Sequence, residues 1–502
     1  MLVEKLLQNL KSSKCTSVDE LDRFSIKLSA KYIAAPVHHI VTISIMQKKF
    51  PTKWKLTKLI PLHKKSSQLD PKNYRPVAIL SPLSKILEKI VFNQIYDYFT
   101  CNRIFHPSLH GYRQHRSTHT ALLQMYDSWV RSAGNGCVSG VVFLDLSAAF
   151  DLVDPELMIK KMKIYGLDEE FCNWIFSYLQ DRQQAVWIDH VFSDFVPNSI
   201  GVPQGSNLGP LFFLIYYNDL LSTISCPVEV YADDSTMTGT GTRIGEIESE
   251  LNENCRKVSC WMKENRFKLN ASKTHFLLVG TQERLRITDQ PAVIMDGIVL
   301  KENEEKSELL LGVEIQSNLK WSKQIVRVVK KLKCRLAGLN KLKYLVPYHT
   351  RNTIVTGIFN SVLVYCLPLY GGCSKGQVRE LQVLQNRAGQ IVSHKPPFTN
   401  RNNLFDQLGW MTVYQLIVYH TVLTVFKVKK SREPEYLARF LNSEGRNGRI
   451  MITRTKLSLA KNSFCYRGSE NWNCLPETLR RCGAFKLGLR NWVCQNVPRF
   501  PE

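Results

Sequence analysis

Long apolar runs are missing from this chain of 502 residues. No stretch of about 18 uncharged apolar residues occurs, so the sequence predicts no membrane span. The first residues (MLVEK) do not have the pattern of a secretory signal. Internal repeats and low-complexity tracts are also missing. We therefore expect a globular protein of the nucleus or cytoplasm that is neither secreted nor bound to a membrane.

Cysteine is present at 14 positions but in no metal-binding or redox pattern. No two cysteines are separated by two residues, and no Cys/His group has the spacing of a zinc finger. We expect reduced thiols that behave as small apolar side chains.

Acidic residues are scarce in the last third of the chain. Residues 320–502 hold 31 Lys and Arg but only 8 Asp and Glu, and thus carry +23 of the net charge of +24. Residues 1–319 are nearly neutral, at +1. A basic lobe attached to a near-neutral one is typical of a grip on a polyanion such as nucleic acid. An ordinary solvated basic surface is the alternative.

The apolar content of 44% and the charged content of 22% are typical of globular proteins. Up to Gly312 helical and strand patterns alternate, with a helix expected over Glu156–Leu179, and this order predicts an α+β fold with a sheet backed by helices. Helical patterns follow. One of these helices has an apolar stripe at steps of four and three residues: Ile325, Val329, Leu332, Leu336 and Leu339. Basic residues flank this stripe: Lys323, Arg327, Lys330 and Lys331.

Two adjacent carboxylates, Asp233 and Asp234, lie inside a short apolar stretch that fits a tight β-hairpin. A third, Asp145, ends the apolar run that begins at Val141. Clustered carboxylates repel one another unless cations neutralise them. Two Mg²⁺ ions roughly 4 Å apart would do so, and such a pair carries out nucleotidyl transfer. Taken alone, however, Asp-Asp is also a common turn sequence.

Other motifs surround these acids in a fixed order. They are 73–76 (NYRP), 110–113 (HGYR), 116–118 (RST), 143–151 (FLDLSAAFD), 201–206 (GVPQGS), 231–234 (YADD), 269–274 (LNASKT) and 310–313 (LLGV). The series resembles the reverse transcriptases of non-LTR (LINE-type) retrotransposons, nearest the jockey and chicken-repeat groups. The resemblance covers nearly the whole chain, and segments 384–388 (LQNRA) and 408–410 (LGW) extend it into the C-terminal third.

The resemblance implies a right-hand polymerase with fingers, a ferredoxin-like palm that carries the carboxylates, a helical thumb and a mainly helical basic C-terminal region. We expect an N-terminal fingers extension at 1–58, fingers and palm at 59–315, a thumb at 316–400 and the basic region at 401–502. The implied activity is RNA-directed DNA synthesis, in which a DNA primer is extended on an RNA template from deoxynucleoside triphosphates. The implied cofactor is Mg²⁺, with Mn²⁺ as a substitute.

By the same resemblance, Asp145, Asp233 and Asp234 are the catalytic, metal-binding acids, and Lys273 lies beside the leaving group. Five residues are expected at the substrate: Arg75, Arg113, Phe150, Gln204 and Gly205. The two guanidinium groups suit phosphate oxygens, with Arg75 also a candidate for fixing a loop. The Phe150 ring would exclude a 2′-hydroxyl. Gln204 would pack near the nascent base pair, where Gly205 allows close backbone approach. The four basic residues beside the apolar stripe would contact the template–primer duplex.

Two alternatives stay open. Autonomous relatives carry an endonuclease ahead of the polymerase, and no such pattern precedes the predicted fingers in this sequence. A separately encoded endonuclease is therefore a candidate partner. The second hypothesis for function is a catalytically silent or domesticated nucleic-acid-binding remnant of such an element. The intact acids, Phe150 and Gln204 favour the polymerase. A group II intron maturase or a telomerase shares the palm, but the LINE-like C-terminal segments argue against it.

Overall fold

The structure is a computed structural model that describes residues 2–13, 15–64, 67–147, 149–270, 273–287, 289–394, 401–441, 445–452, 455 and 457–499. None of the helices in these ranges combines the length and the apolar character that a membrane crossing requires.

Helices occur along the whole described chain and dominate both of its ends. They are Leu2–Gln8 (α1), Arg23–Leu28 (α2), Ala30–Met46 (α3), Pro82–Cys101 (α4), Thr118–Gly134 (α5), Pro155–Ile164 (α6), Glu169–Leu179 (α7), Gly209–Tyr217 (α8), Leu220–Thr223 (α9), Ile244–Glu264 (α10), Gln282–Ile287 (α11), Ser322–Lys341 (α12), Tyr348–Val355 (α13), Ser361–Val364 (α14), Leu367–Tyr370 (α15), Lys375–Ser393 (α16), Arg401–Leu408 (α17), Val413–Ser431 (α18), Glu435–Leu441 (α19), Ser458–Lys461 (α20), Phe464–Asn473 (α21), Glu477–Arg480 (α22) and Phe485–Asn496 (α23).

The strands lie between residues 56 and 316. They are Leu56–His63 (β1), Tyr74–Ile79 (β2), Val138–Ser147 (β3), Arg182–Ile188 (β4), Val191–Phe192 (β5), Val196–Asn198 (β6), Val228–Tyr231 (β7), Asp234–Gly241 (β8), Lys268–Leu269 (β9), His275–Val279 (β10), Ile294–Met295 (β11), Ile298–Val299 (β12), Ser307–Leu310 (β13) and Val313–Gln316 (β14). A central antiparallel sheet has the order β10-β3-β8-β7, with β9 paired to the end of β3.

Two predictions from the sequence have different outcomes. The carboxylate hairpin is confirmed as β7 and β8. The prediction of helix throughout Glu156–Leu179 is wrong, because α6 and α7 are separate helices. Gly166 adopts a φ of +88° between them, and the Asp168 carboxylate accepts a hydrogen bond from the Phe171 amide to begin α7.

The central sheet is buried on both faces rather than backed by helices on one. Successive residues of a strand point to opposite faces, and in β3 Val142 and Leu144 pack into a core that includes α8 and α10. Val141 and Phe143 pack into a second core with α5, α12 and the C-terminal helices. The expectation of helices behind a single face was therefore incomplete.

A second sheet has the order β2-β1-β4-β5, with β6 also paired to β4. Strands β1 and β2 are antiparallel, whereas β1 and β4 are parallel. The Ala78 amide in β2 donates a hydrogen bond of 2.8 Å to the Gln204 carbonyl oxygen. This bond fixes the loop at 201–206 against the second sheet.

Helix α5 connects the sheet to the chain that follows Gly312. The Trp129 indole donates to the Thr238 hydroxyl in β8 (3.1 Å), and the Tyr126 hydroxyl donates to the Leu319 carbonyl oxygen (2.8 Å). The buried Asp127 carboxylate accepts hydrogen bonds from the amides of Phe464 and Cys465 in the first turn of α21. The basic region thus shares a hydrophobic core with α5.

Candidate active site

The carboxylates Asp233 and Asp234 lie at the tip of the β7–β8 hairpin. Tyr231 and Asp234 form the last cross-strand pair, so Ala232 and Asp233 make a two-residue turn. Ala232 has a φ of +58°, as the first residue of a tight hairpin turn requires. Both carboxylates are exposed to solvent.

Asp145 lies directly opposite Asp234 in the register of β3 and β8. Opposed residues of antiparallel strands project from the same face of a sheet. The structure thus brings the three predicted acids together at one edge of the central sheet. That face also carries Val141 and Phe143, so the carboxylates project on the side of α5 and of the chain after Gly312.

The surroundings of the cluster perturb the ionisation of Asp234. Partial desolvation, followed by the charges of Asp233 and Asp145, raises the pKa of Asp234 to about 6. Lys273 is the cation beside them, since its Nζ lies 3.6 Å from Asp145 Oδ2. Both side chains of this pair are solvent-exposed, and it contributes little stability. One exposed ammonium leaves most of the carboxylate repulsion unrelieved.

The donor chemistry at this edge suits a hard divalent cation, because all three side chains offer carboxylate oxygens. Within the described ranges, no three His, Cys, Asp or Glu side chains already converge into a complete metal site. The acids therefore offer part of a coordination shell, and the remaining oxygens would have to come from water and from a phosphate-bearing substrate.

Phe150 lies in a 3₁₀ turn, Ala149–Leu152, directly after β3. Its ring stacks on Phe213 of α8, with 5.2 Å between ring centres, and meets Tyr112 edge-on at 6.2 Å. The side chain is only partly buried. The ring is therefore packed against Phe213 and Tyr112 and is not fully buried.

The loop at 201–206 packs against this turn. The Val202 amide donates to the Phe150 carbonyl oxygen (2.9 Å), and the Gln204 side-chain amide donates to both carboxylate oxygens of Asp151 (2.9 and 3.1 Å). Gly205 has a φ of +131°, and a Cβ there would lie 2.5 Å from the Ala78 carbonyl oxygen. The backbone of Gly205 therefore closely approaches strand β2 of the same chain.

The two arginines predicted at the triphosphate differ in environment. Arg75 is exposed in β2, and no hydrogen bond or ion pair of its guanidinium occurs within the described ranges. Arg113 donates to the His106 carbonyl oxygen (3.2 Å) and lies over the Phe105 ring, 5.2 Å from its centre. Burial and the nearby charge of Arg116 lower the pKa of Arg113 to about 10. Arg113 would have to leave these contacts to reach a substrate, whereas Arg75 would not.

The four basic residues of α12 that are predicted to contact nucleic acid are also not equivalent. The Lys323 ammonium donates to the Ser307 hydroxyl (3.0 Å) and pairs with the Glu305 carboxylate at 3.4 Å. Lys330 and Lys331 are exposed, and Arg327 is partly buried beside Gly312 and Tyr365. Burial, Arg327 and Arg335 lower the pKa of Lys331. The charges of Arg327, Lys331 and Arg335, which follow one another at one helical turn, repel one another and favour an anionic neighbour. The predicted apolar stripe of α12 is confirmed as buried.

The motif at 110–113 is visible in the sequence, but the sequence predicts no role for His110, Gly111 or Tyr112. His110 forms a buried hydrogen bond of 2.7 Å with the Glu229 carboxyl group. Burial lowers the pKa of His110 to about 3 and raises that of Glu229. Burial, followed by Asp233, raises the pKa of Tyr112. The motif itself was the only sequence signal for these three residues, because the contact between His110 and Glu229 of the hairpin joins positions more than a hundred residues apart.

Comparison with known proteins identifies the family. The family model described as reverse transcriptase (RNA-dependent DNA polymerase) matches residues 62–344, which is more than half of the chain. The chain belongs to the reverse transcriptase family. Members of this family are in general dependent on divalent metal ions, in keeping with the oxygen ligands at the hairpin.

The curated relatives confirm the predicted resemblance to jockey-type non-LTR elements. The probable RNA-directed DNA polymerase from transposon BS of Drosophila melanogaster is 25% identical over 84% of this chain and 47% of that protein. The RNA-directed DNA polymerase from mobile element jockey of the same species is 24% identical over 78% of this chain and 44% of that protein. The chain therefore spans about half the length of these relatives. Among solved structures, the chain aligns with apo telomerase from Candida tropicalis, truncated from its C-terminal domain. The alignment covers 55% of this chain and 57% of that chain at 11% identity. Its TM-score of 0.38 is too low to identify a shared fold.

The raised pKa of Asp234 predicts a stability profile for the metal-free protein. The folded state retains a proton that the unfolded chain loses between about pH 4 and pH 6, so the contribution of Asp234 to stability is largest below this window and falls as pH rises through it. We expect Asp234→Asn to flatten the fall in melting temperature between pH 4 and 7. Added Mg²⁺ at pH 8 should raise the melting temperature of the wild type more than that of the variant.

Differential scanning fluorimetry in a chelating buffer measures this profile. Asp189→Asn is the matched control, because Asp189 is an exposed aspartate in the turn of another hairpin, β4–β5. If the melting temperatures of the wild type and of Asp234→Asn fall equally between pH 4 and 7, the account of carboxylate repulsion is contradicted.

Proposed function

We propose that this chain is the RNA-directed DNA polymerase of a jockey-type non-LTR mobile element, acting in the nucleus or cytoplasm. The observation that carries the proposal is the cluster of Asp145, Asp233 and Asp234 at one sheet edge, in a chain of the reverse transcriptase family. The proposed substrates are an RNA template, a DNA primer and deoxynucleoside triphosphates. The source of the first-strand nick lies outside the proposal, because the chain spans about half of its relatives.

Asp145 and Asp233 would hold two Mg²⁺ ions, with Asp234 supporting the hairpin and the field around them. When bound, such ions lower the pKa of the primer 3′-hydroxyl and stabilise the charge of the triphosphate and departing pyrophosphate, and Mn²⁺ could substitute. Lys273 lies at this edge, where its ammonium could stabilise or protonate the leaving group. The Phe150 ring would lie under the sugar, and Gln204 near the nascent base pair.

Nucleic-acid binding would rest on the basic side of α12. Arg327, Lys330 and Lys331 are its best candidates, since the ammonium of Lys323 already has acceptors in the chain. Arg327 borders a small cavity that also touches Gly312 and Tyr365, and the Tyr365 hydroxyl donates to the Leu311 carbonyl oxygen. A duplex that leaves the carboxylate edge along α12 would meet these cations.

Asp233→Asn tests the polymerase assignment directly. We expect this variant to lose at least about a thousand-fold in primer extension on an RNA template, since metal ions supply several kcal/mol of transition-state stabilisation. Binding of template–primer should be nearly unchanged. The control is Asp189→Asn, which changes an aspartate in another hairpin turn and should extend the primer as the wild type does. Normal extension by Asp233→Asn would contradict the polymerase assignment.

Sugar discrimination should depend on Phe150. Phe150→Val removes the ring and opens space for a 2′-hydroxyl, so ribonucleotide incorporation should increase by one to two orders of magnitude relative to deoxynucleotide, because an excluded hydroxyl is worth roughly 1–3 kcal/mol. Competition between the two nucleotides on one template measures the ratio. Phe192→Val, at a partly exposed Phe of the β4–β5 hairpin, is the control. A ratio unchanged by Phe150→Val would leave Phe150 with a packing role only.

Neutralising Arg327, Lys330 and Lys331 together to Gln should weaken template–primer binding without sequence preference. The slope of log affinity against log salt should fall by up to about three, since each phosphate contact contributes close to one. The control carries the same charge change at exposed lysines of the N-terminal helices, Lys5, Lys27 and Lys31. If helix content is retained and both triple variants bind alike, the basic face of α12 is merely solvated.

A further inference from the structure

The segment that precedes Arg116 lies alongside the carboxylate hairpin as an additional short strand. Leu109 forms a parallel bridge with Val230 of β7. The His110 amide donates to the Val230 carbonyl oxygen (2.8 Å), and the Val230 amide donates to the Ser108 carbonyl oxygen (2.9 Å). Strand β7 is therefore held on one side by β8 and on the other by residues 108–110.

Gly111 extends this contact to the turn that carries Asp233. A Cβ at position 111 would lie 2.4 Å from the backbone nitrogen of Ala232 and 3.2 Å from its Cα. The backbone of Gly111 thus packs directly against the backbone of the turn. Tyr112 follows at a φ of +56°, and its ring meets Phe150 edge-on. A shift of residues 108–112 would consequently displace the Asp233 carboxylate and the Phe150 ring together.

Arg116 holds this segment in place. Its side chain is 3% exposed, and its Nη1 donates to the carbonyl oxygens of Leu109 (3.1 Å) and Pro107. On its other side, Nε and Nη2 donate to Oε2 of Glu433 (3.1 and 2.8 Å). A guanidinium buried to this degree needs an anionic partner, and Glu433 supplies it.

Glu433 belongs to the C-terminal region, 317 residues further along the chain. It lies in the turn between α18 and α19, where Arg432 ends α18 with a φ of +57°. The Ser431 hydroxyl accepts a hydrogen bond from the Glu433 amide (3.1 Å). Helix α18 is anchored by fully buried valines, among them Val422 and Val425. The position of the Glu433 carboxylate is therefore set by the packing of the C-terminal helices.

From this chain of contacts we infer that Glu433 is a positioning residue for the catalytic hairpin. Through Arg116 it fixes residues 107–111, and through Gly111 it sets where the Asp233 carboxylate stands. The inference rests on the proposed polymerase function, and it gives the C-terminal region a part in catalysis beyond any contact with nucleic acid. The side chain of Glu433 itself touches no reacting atom in this account.

Glu433→Gln tests the inference, because it keeps an acceptor and removes the charge. We expect the single-turnover rate of primer extension to fall ten- to a hundred-fold, since small misplacement of catalytic groups costs rates of this order. The dissociation constant of template–primer should change by less than twofold. Glu433→Asp, which keeps the charge, should recover part of the rate. The matched control is Glu435→Gln, two residues away, whose carboxylate pairs with Arg439 one turn along α19.

Arg116→Gln combined with Glu433→Gln should be no slower than Arg116→Gln alone, because both changes remove the same link. Additive losses would overturn the link, and so would a normal rate in Glu433→Gln. If Glu433→Gln proves too unstable to assay, Glu433→Asp replaces it in the combination with Arg116→Gln, and additive losses there overturn the inference.

Amide hydrogen exchange provides a measure that does not need polymerase activity. Glu433→Gln should increase exchange in peptides covering 108–112 and 228–234 and leave α10 unchanged. Equal increases everywhere would indicate general destabilisation and contradict the inference. A wild-type protein that extends no primer would defeat the proposed function, whereas the exchange pattern would still decide whether Glu433 positions the hairpin.

Discussion

Electrostatic repulsion among Asp145, Asp233 and Asp234 is the constraint that the rest of the structure accommodates. Folding brings the three carboxylates to one sheet edge and raises the pKa of Asp234 to about 6, and the exposed Lys273 is a neighbouring cation. A site of this kind is costly for the folded protein without metal and favourable once divalent cations and a triphosphate are present. The surrounding structure must hold the hairpin rigid against that repulsion.

Packing around the strands of the hairpin holds it in place. The central sheet is buried on both faces, and α5 joins it to the C-terminal helices through buried groups such as Trp129 and Asp127. Residues 108–111 brace β7 and the turn from the side opposite β8. The basic C-terminal third is consequently part of the scaffold that holds the carboxylates, in addition to its proposed contacts with nucleic acid.

Local patterns in the sequence were sufficient for much of the site. The Asp233-Asp234 hairpin, the buried stripe of α12 and the family resemblance all depend on residues close together in the chain or on motifs in a fixed order. The break between α6 and α7 at Gly166 was missed because the apolar spacing continues across it. The contacts of Arg113 with His106 and of Lys323 with Ser307 follow no periodic pattern in the sequence. The link from Glu433 to Arg116 joins residues 317 positions apart, so no local pattern could reveal it.

The most direct test of the account is a count of divalent ions at the hairpin. Electron paramagnetic resonance can titrate Mn²⁺ into a complex of the protein with an RNA template, a dideoxy-terminated DNA primer and the next correct deoxynucleotide. The account predicts two ions bound per complex for the wild type and weakened or lost binding for Asp145→Asn. An ion count and affinity that Asp145→Asn leaves unchanged would show that the carboxylate cluster does not hold the metal ions.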